Sequence, residues 1–419
     1  MLVDWFISVV GVIVVYLYGK KRSRAFGIFA GAITAIHAIF SPLFLLCDTY
    51  INDQYGIYQL FLYYCHYSVF VYYLVLSKPR MRSLLYRIFI TVPALWFSSS
   101  TMISIPFIFI YYFPLDSIQA IRDIIPPCIL FVGFIGMFQS LVGFEEELDL
   151  YISTDQGYFT DDIVKRCNPK NKPKLVNPKK FSIIQLTDTH LGPMMSVERL
   201  KKICERAVER NPDLILLTGD YMTMDSQRDS EYLKEALTPL TKVKDKVVAG
   251  VGNHDYEAFL LVTTVFQELG IPFLIDDQLI KTIQVDGTKY RIQITSADFT
   301  WGKRKEHLQN LMEIYPKRPD ADFRILLLHD PGAFKHVPHG TTDLILSGHT
   351  HGGQVGLVSL GLNLTIISAI MRNKIPDHGF WQKGNDRLYV HRGTGHYGFP
   401  LRIGVPCEQS KITIHFGTE

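Results

Sequence analysis

Cysteine is scarce and unpaired in this chain: six among 419 residues, at Cys47, Cys65, Cys128, Cys167, Cys204 and Cys407, with no paired spacing. Three of them fall in apolar runs, so the pattern supports neither a disulfide framework nor a zinc site built on sulfur. Net charge is equally sparse. At +3 overall, the chain lacks the basic excess of a nucleic-acid-binding surface. No basic segment precedes the first apolar run. Its basic residues, Lys20, Lys21, Arg22 and Arg24, follow instead, which fits an uncleaved anchor better than a cleaved signal peptide.

What the chain has is hydrophobic residues, 47% of the total, with nearly all of the excess before residue 145. Runs at about 2 to 18, 25 to 47, 55 to 77, 85 to 113 and 123 to 144 are long enough, or nearly so, to cross a hydrocarbon core of about 30 Å. Basic residues cluster after the first run and again at Lys78, Arg80, Arg82 and Arg87 after the third, whereas "DTYIND" and "PLDSIQAIRD" are mainly acidic. The positive-inside tendency then puts the N-terminus outside and, after five crossings, the rest of the chain in the cytosol. The segment "KRCNPKNKPKLVNPKK" is read as a linker able to lie against anionic lipid. His37, His66 and the "SSST" of 98 to 101 are read as interhelical hydrogen-bonding groups rather than a transport path. The expected division is a multi-pass transmembrane domain of about five helices over 1–145, a basic linker over 146–180 and a folded domain over 181–419.

After the linker, short apolar strands alternate with amphipathic helices. "FSIIQLT", "SVERLKKICERAVERN" and "DLILLTGD" make one strand-helix-strand unit, and hairpin-like strands follow in "KTIQVDG" and "YRIQITSA". The pattern predicts an α/β domain in which two mixed β-sheets stack as a sandwich flanked by helices.

The polar clusters of this domain fall where predicted strands end, the place where open α/β sheets bind ligands. They are "TDTHLG" with Asp188 and His190, "TGDY" with Asp220, "GNHD" with Asn253, His254 and Asp255, "LLLHDP" with His329, and "SGHTHGGQ" with His349 and His351. Carboxylates, imidazoles and one amide, without thiolate, form a donor set suited to Mn, Fe or Zn and less to Mg. So many such groups exceed one tetrahedral site and suit two divalent ions about 3.5–4 Å apart. A single strand-end Asp or Asp-x-His is usually structural, and Asn or Asp before a helix often caps it. Five pieces in one order are hard to attribute to chance.

This ordered set resembles that of the calcineurin-like metallophosphoesterases, over roughly Phe181 to Phe416. "GHTHGGQ" and "HRGTGHYGFPLRIGVPCE" are similar to the membrane-associated, YkuE-like branch that includes a transmembrane protein with a metallophosphoesterase domain. The resemblance implies the same two-sheet sandwich and two bound divalent metal ions. By motif, Asp188, His190 and His351 would hold one ion, Asn253, His329 and His349 the other, with Asp220 bridging. His254 would act on the substrate as general acid, with Asp255 orienting its ring. The chemistry implied is attack of a metal-bridged hydroxide on a phosphate mono- or diester, with His254 protonating the leaving group.

The sequence departs from the protein serine/threonine phosphatases of the superfamily, which carry an arginine soon after the bridging Asp and an acidic "GNHE". Here the segment after Asp220 has no arginine before Arg228, and the motif reads "GNHD". Small molecules, nucleotides and lipids therefore remain as substrates, a phospholipid among them because of the neighbouring apolar runs. Arg392, His396 and Arg402 are candidates for substrate contact, with packed or surface roles as the alternative. The competing class is a receptor or scaffold that uses the fold for binding without catalysis; such a chain should show gaps among its ligands, and here all seven are present together with His254. Nothing in the sequence points to a protein partner.

Overall fold

The structure, a computed structural model, describes residues 2–49, 56–112, 119–154, 163–167, 172–372 and 374–418. It divides into two compact units, one of Met1–Ser140 with Met224–Ser226 and Gly398–Arg402, the other of Leu141–Thr223, Gln227–Tyr397 and Ile403–Glu419.

The first unit is helical: α1 (Leu2–Arg22), α2 (Arg24–Thr49), α3 (Gly56–Leu76), a short α4 (Leu84–Tyr86) that continues through a π turn into α5 (Val92–Tyr112), and α6 (Gln119–Leu141). Five stretches, Val3–Arg22, Arg24–Cys47, Gly56–Leu76, Leu84–Phe109 and Ile124–Leu141, are long and apolar enough to cross a membrane, close to the runs expected from sequence. Helices suit such runs because each backbone N–H and C=O is satisfied inside its own segment. Large apolar side chains such as Phe6, Leu60 and Phe131 face outward. The "SSST" motif departs from its expected role. Ser100 and Thr101 donate to the carbonyls of Trp96 and Phe97, one turn back on their own helix, so they satisfy themselves locally. His66 does bond between helices, to Ser8 and Ser41. Most of "DTYIND" and the start of "PLDSIQAIRD", at 50–55 and 113–118, lie outside the described residues.

In the second unit, strands β1 (Gly143–Ser153), β2 (Lys165–Arg166), β3 (Lys179–Leu186), β4 (Leu214–Leu217), β5 (Val247–Gly250), β6 (Phe273–Leu274), β7 (Asp277–Val285), β8 (Thr288–Ser296), β9 (Phe323–Leu327), β10 (Leu344–Ser347), β11 (Gly379–Lys383), β12 (Asp386–Val390) and β13 (Cys407–Gly417) form two mixed sheets. The orders are β1-β13-β3-β4-β5-β6 and β2-β11-β12-β10-β9-β8-β7. β4, β9 and β10 are buried on both faces, as their unbroken "LILL", "FRILL" and "LILS" require. β13 alternates buried and half-buried residues along "CEQSKITIHFG", so one face meets the core. Leu216, Val248, Ile325, Leu346, Ile412 and Phe416 are among the residues filling the core between the sheets. Outside the first sheet pack α7 (Val197–Glu209), α8 (Ser230–Leu237) and α9 (Phe259–Leu269). Ser196 and Asp229 cap the first two by accepting backbone N–H bonds, and Gly270 ends the third in the left-handed region at φ 64°. α10 (Arg304–Ile314) covers the second sheet.

Two segments of the expected linker over 146–180 are paired strand instead. β1 pairs in parallel with β13 from Gly143 to Ser153, and β2 pairs with β11. The charged residues of "GFEEELDLYIS" sit largely on the solvated side of an edge strand, which gave that segment a linker's polarity despite its pairing. Residues 155–162 and 168–171 of the linker lie outside the described residues.

Candidate functional site

Each candidate ligand leaves a sheet just beyond the carboxyl end of a strand: Asp188 and His190 after β3, Asp220 after β4, Asn253 after β5, His329 after β9, and His349 and His351 after β10. Because β3, β4 and β5 run parallel in one sheet and β9 and β10 in the other, their ends collect at one edge of the sandwich.

The turns that carry these residues are strained. Asp188, His190, Asp220, His349 and His351 all take positive φ, at 52°, 43°, 60°, 66° and 50°. Such backbone costs on the order of 1–3 kcal/mol per residue and persists only where surrounding bonds hold it. Here the loops brace one another. Asp188 N–H donates to Gly219 O, His190 N–H to Asp220 O, Gly348 N–H to His329 O and Gly395 N–H to Asp188 O, at 2.9–3.1 Å. Two glycines make room for the acids: a Cβ on Gly348 would stand 2.1 Å from Asp188 Oδ2, and one on Gly252 2.2 Å from Asp220 Oδ1.

Two donor clusters result, Asp188 with His190 and His351, and Asp220 with His329 and His349; the ligand atoms of each lie within 4.8 Å of one another. Asp220 links them. Its Oδ2 lies 3.2 Å from His329 Nε2 and 3.7 Å from His190 Nε2, one imidazole from each cluster. In the first cluster His351 Nε2 is 3.3 Å from Asp188 Oδ1 and 3.2 Å from His190 Nε2. Neighbours fix the orientation of each group. Asp188 accepts from Thr187 Oγ1 at 2.9 Å and from the His349 N–H at 3.0 Å, while Asp220 Oδ1 accepts from the His254 N–H at 2.8 Å. His329 Nδ1 lies 2.7 Å from the Thr218 carbonyl, which can only accept, so Nδ1 carries a proton and Nε2 is the ring atom that faces Asp220.

The residues fit divalent cations. Two carboxylates and four imidazoles converge in the two clusters, and Asn253 Oδ1, one position before the His254 N–H that bonds Asp220, is a buried acceptor with no hydrogen bond among the described residues. Buried polar atoms are seldom left unsatisfied, and a cation satisfies several at once.

Burial sets the electrostatics of the cluster. It pushes the Asp188 carboxyl up to about 6 and pulls His190 down to about 3 and His349 down to about 4. At His329 burial opposes charge, but Asp220 and Asp188 outweigh it and push the imidazole up to about 10. Asp220 shows the other side of that pair. Burial works against its charge, yet His329 and His190 hold it well below the usual carboxylate range.

The expected partnership of His254 with Asp255 is corrected. The buried Asp255 carboxylate accepts backbone N–H groups of Asp220, Tyr221 and Gly252 at 2.9, 2.8 and 2.7 Å, so it clamps the two strand ends together. Glu257 contacts the ring instead, with Oε1 2.6 Å from His254 Nδ1. The reason is helical geometry: His254–Ala258 form a 3₁₀ turn, in which residues three apart share a face and adjacent residues do not. Gln227 Nε2 donates to Glu257 at 2.6 Å, and Tyr397 stacks on the His254 ring with centroids 4.0 Å apart. Burial disfavours charge on His254, but the Glu257 bond and Asp220 prevail and raise its pKa.

Sequence reasoning missed Glu257, Gln227 and Tyr397; the i, i+3 spacing in "HDYE" was the one signal available. Phe299 and Trp301, whose rings lie 5.9 and 6.4 Å from that of His349, were also missed. Arg392, a candidate for substrate contact, is engaged in a buried network with Glu408 and Glu146. Arg402 and His396 are buried as well.

Residues 181–353 match the family model described as calcineurin-like phosphoesterase. The chain is 31% identical to the metallophosphoesterase YkuE of Bacillus subtilis over 240 residues, covering 56% of this chain and 79% of that protein. It is 27% identical to the transmembrane protein with metallophosphoesterase domain of Danio rerio, covering 55% of this chain and 52% of the relative, so it spans about half of that protein's length. It is also 27% identical to the phosphodiesterase YaeI of Escherichia coli, covering 54% and 79%. Together with the two-sheet sandwich and its paired donor clusters, these likenesses show that the chain belongs to the calcineurin-like phosphoesterases, metal-dependent hydrolases of phosphoric esters.

Proposed function

We propose that the chain is a membrane-anchored phosphoesterase with a dinuclear metal site, hydrolysing a phosphate mono- or diester. The observation that carries the dinuclear reading is the position of Asp220 Oδ2 within 3.2 and 3.7 Å of an imidazole from each cluster, where one carboxylate serves both. Asp188, His190 and His351 would hold one ion and Asn253, His329 and His349 the other, with Asp220 shared; Mn, Fe and Zn all suit the donors. When bound, two such cations neutralise phosphate oxygens and acidify water.

The chain's own residues supply the rest. His254 stands beside the clusters, its ring centroid 5.5 Å from that of His190. Glu257 holds the proton of Nδ1, which leaves Nε2 as the atom that protonates a departing alkoxide. Stacking of Tyr397 restricts the ring to that plane. Asp255 acts through backbone, keeping the strand ends of Asp220 and Gly252 in register. The phosphodiesterase name of the Escherichia coli relative favours a diester as the first substrate to try. The five long apolar helices support anchoring, and the cations that close α1, Lys20, Lys21 and Arg22, support a cytosolic domain.

The test is hydrolysis of bis-p-nitrophenyl phosphate and p-nitrophenyl phosphate by the full chain in detergent, with Mn²⁺ or with chelator. Turnover should require metal and vanish in Asp220→Asn. Full activity in that variant would overturn the ligand assignment.

A further inference from the structure

The segment that carries His349 and His351 continues into an apolar surface with no role in the site. From Leu344 through Pro376 the chain has no acidic residue, and its only cations are Arg372 and Lys374, both exposed at the far end. Between Val355 and Met371 it makes a 3₁₀ turn at Val358–Leu360 and a short helix, α11 (Ile366–Met371), with one bridge from Val355 to Ile403 and one within the segment from Gly356 to Thr365. This framework is braced: Thr365 and Ser368 form a reciprocal cap, and Thr365 Oγ1 bonds the buried Asp377. Yet the large side chains face outward. Leu360 is 74% exposed and Ile370 70%, and Leu362, Leu364 and Ile366 are exposed between them. Across the metal ligands, Trp301 is 73% exposed with its ring 6.4 Å from that of His349.

A rigid loop that turns a run of leucine and isoleucine to solvent marks an interaction site, since soluble surfaces rarely carry such contiguous patches. The composition selects the occupant. Exposed aliphatic side chains followed by two exposed cations, with the neighbouring acid Asp377 buried and paired with Arg166, match the boundary between acyl chains and anionic headgroups. A bilayer is also the surface to which five membrane-length helices would tether this chain.

We propose that Val355–Met371 is a lipid-docking surface, inserting its leucine and isoleucine side chains at an anionic bilayer face so that phosphate esters borne by lipids reach the site. The substrate part of this inference rests on the phosphoesterase reading above; the docking part does not.

The test uses the full chain reconstituted in nanodiscs of phosphatidylcholine with a minority of phosphatidylglycerol. An environment-sensitive nitrobenzoxadiazole label is placed at Leu360→Cys or, as control, at Lys289→Cys in the exposed end of the β7–β8 hairpin, with Cys128→Ser and Cys167→Ser removing the more accessible native thiols. The label at 360 should be quenched severalfold more by spin-labelled lipid than the label at 289. Leu364→Glu with Ile370→Glu should reduce that quenching toward the control. In the same preparations p-nitrophenyl ester turnover should be unchanged by the double substitution, while hydrolysis of phosphatidic acid or of phosphatidylglycerol, whichever the wild type cleaves, falls at least tenfold. A label at 360 that stays as exposed as that at 289 overturns the docking surface, as does one shielded without lipid quenching, the outcome expected if a second copy of the chain covers the patch. Quenching without turnover of either p-nitrophenyl ester would leave docking standing and sink the phosphoesterase reading instead.

Discussion

Among the described residues stand two stacked histidine pairs of nearly the same geometry, one in each unit. His37 and His66 lie between α2 and α3 with ring centroids 5.0 Å apart and planes 25° from parallel; His190 and His351 lie at the sheet edge, 5.1 Å apart and at 23°. What differs is their company. Ser8 and Ser41 bond the His66 nitrogens, and His37 Nε2 meets the His66 carbonyl at 3.3 Å. His190 and His351 instead face the carboxylates of Asp188 and Asp220. Proximity of imidazoles alone thus makes a packing contact, whereas imidazoles aimed at a shared carboxylate make a cation site. Only the second arrangement gathers a candidate metal group among the described residues.

This contrast can be broken at several points. The largest effect is expected for Asp220→Asn, which weakens the one anion common to both clusters; metal content should fall for both ions and kcat/KM by more than about 100-fold, beyond the range seen when only an outer partner of a ligand is lost. His254→Gln should keep the metals and lower kcat about 10²–10⁴-fold, the usual contribution of a general acid, with the greatest loss for esters of poor leaving groups. Gly348→Ala deletes no ligand but drives a methyl into Asp188 Oδ2, and a loss of about 10–100-fold in metal affinity by titration is expected. Glu257→Gln removes a charge-assisted bond to His254 and should lower kcat about tenfold, with metal content intact and a steeper dependence on leaving-group pKa. Should Asp255→Asn instead show that steeper dependence while Glu257→Gln does not, the reassignment of the ring's partner would be wrong. The smallest effect belongs to the other pair: His37→Phe should leave metal content and turnover within about twofold of wild type, because among the described residues His37 Nε2 meets the His66 carbonyl and no ion pair to a carboxylate.

The clustered candidate ligands were legible because each sits in a short motif after an apolar strand, and a strand-end turn leaves little freedom in where its side chains go. The sandwich was legible for the same reason, from "LILL" and "LILS" runs that only a two-sided core accommodates. Contacts set by tertiary geometry were not. Asp255 follows His254 in sequence and so suggested itself as its partner, yet the 3₁₀ turn aims the two side chains apart and brings in Glu257. Tyr397 reaches His254 from 143 positions away in the chain, beyond any local pattern. β1 was hidden because an edge strand beside a solvated face carries the polarity of a linker, and its partner β13 lies at the other end of the domain.

The most direct test of the shared-carboxylate account is metal stoichiometry of the purified full chain after loading with Mn²⁺, by elemental analysis, alongside Asp220→Asn and His254→Gln. The account requires two ions per chain in the wild type and in His254→Gln, with kcat about 10²–10⁴-fold lower in the second, and loss of both ions together in Asp220→Asn. One ion per chain in the wild type, or retention of both in Asp220→Asn, would contradict it.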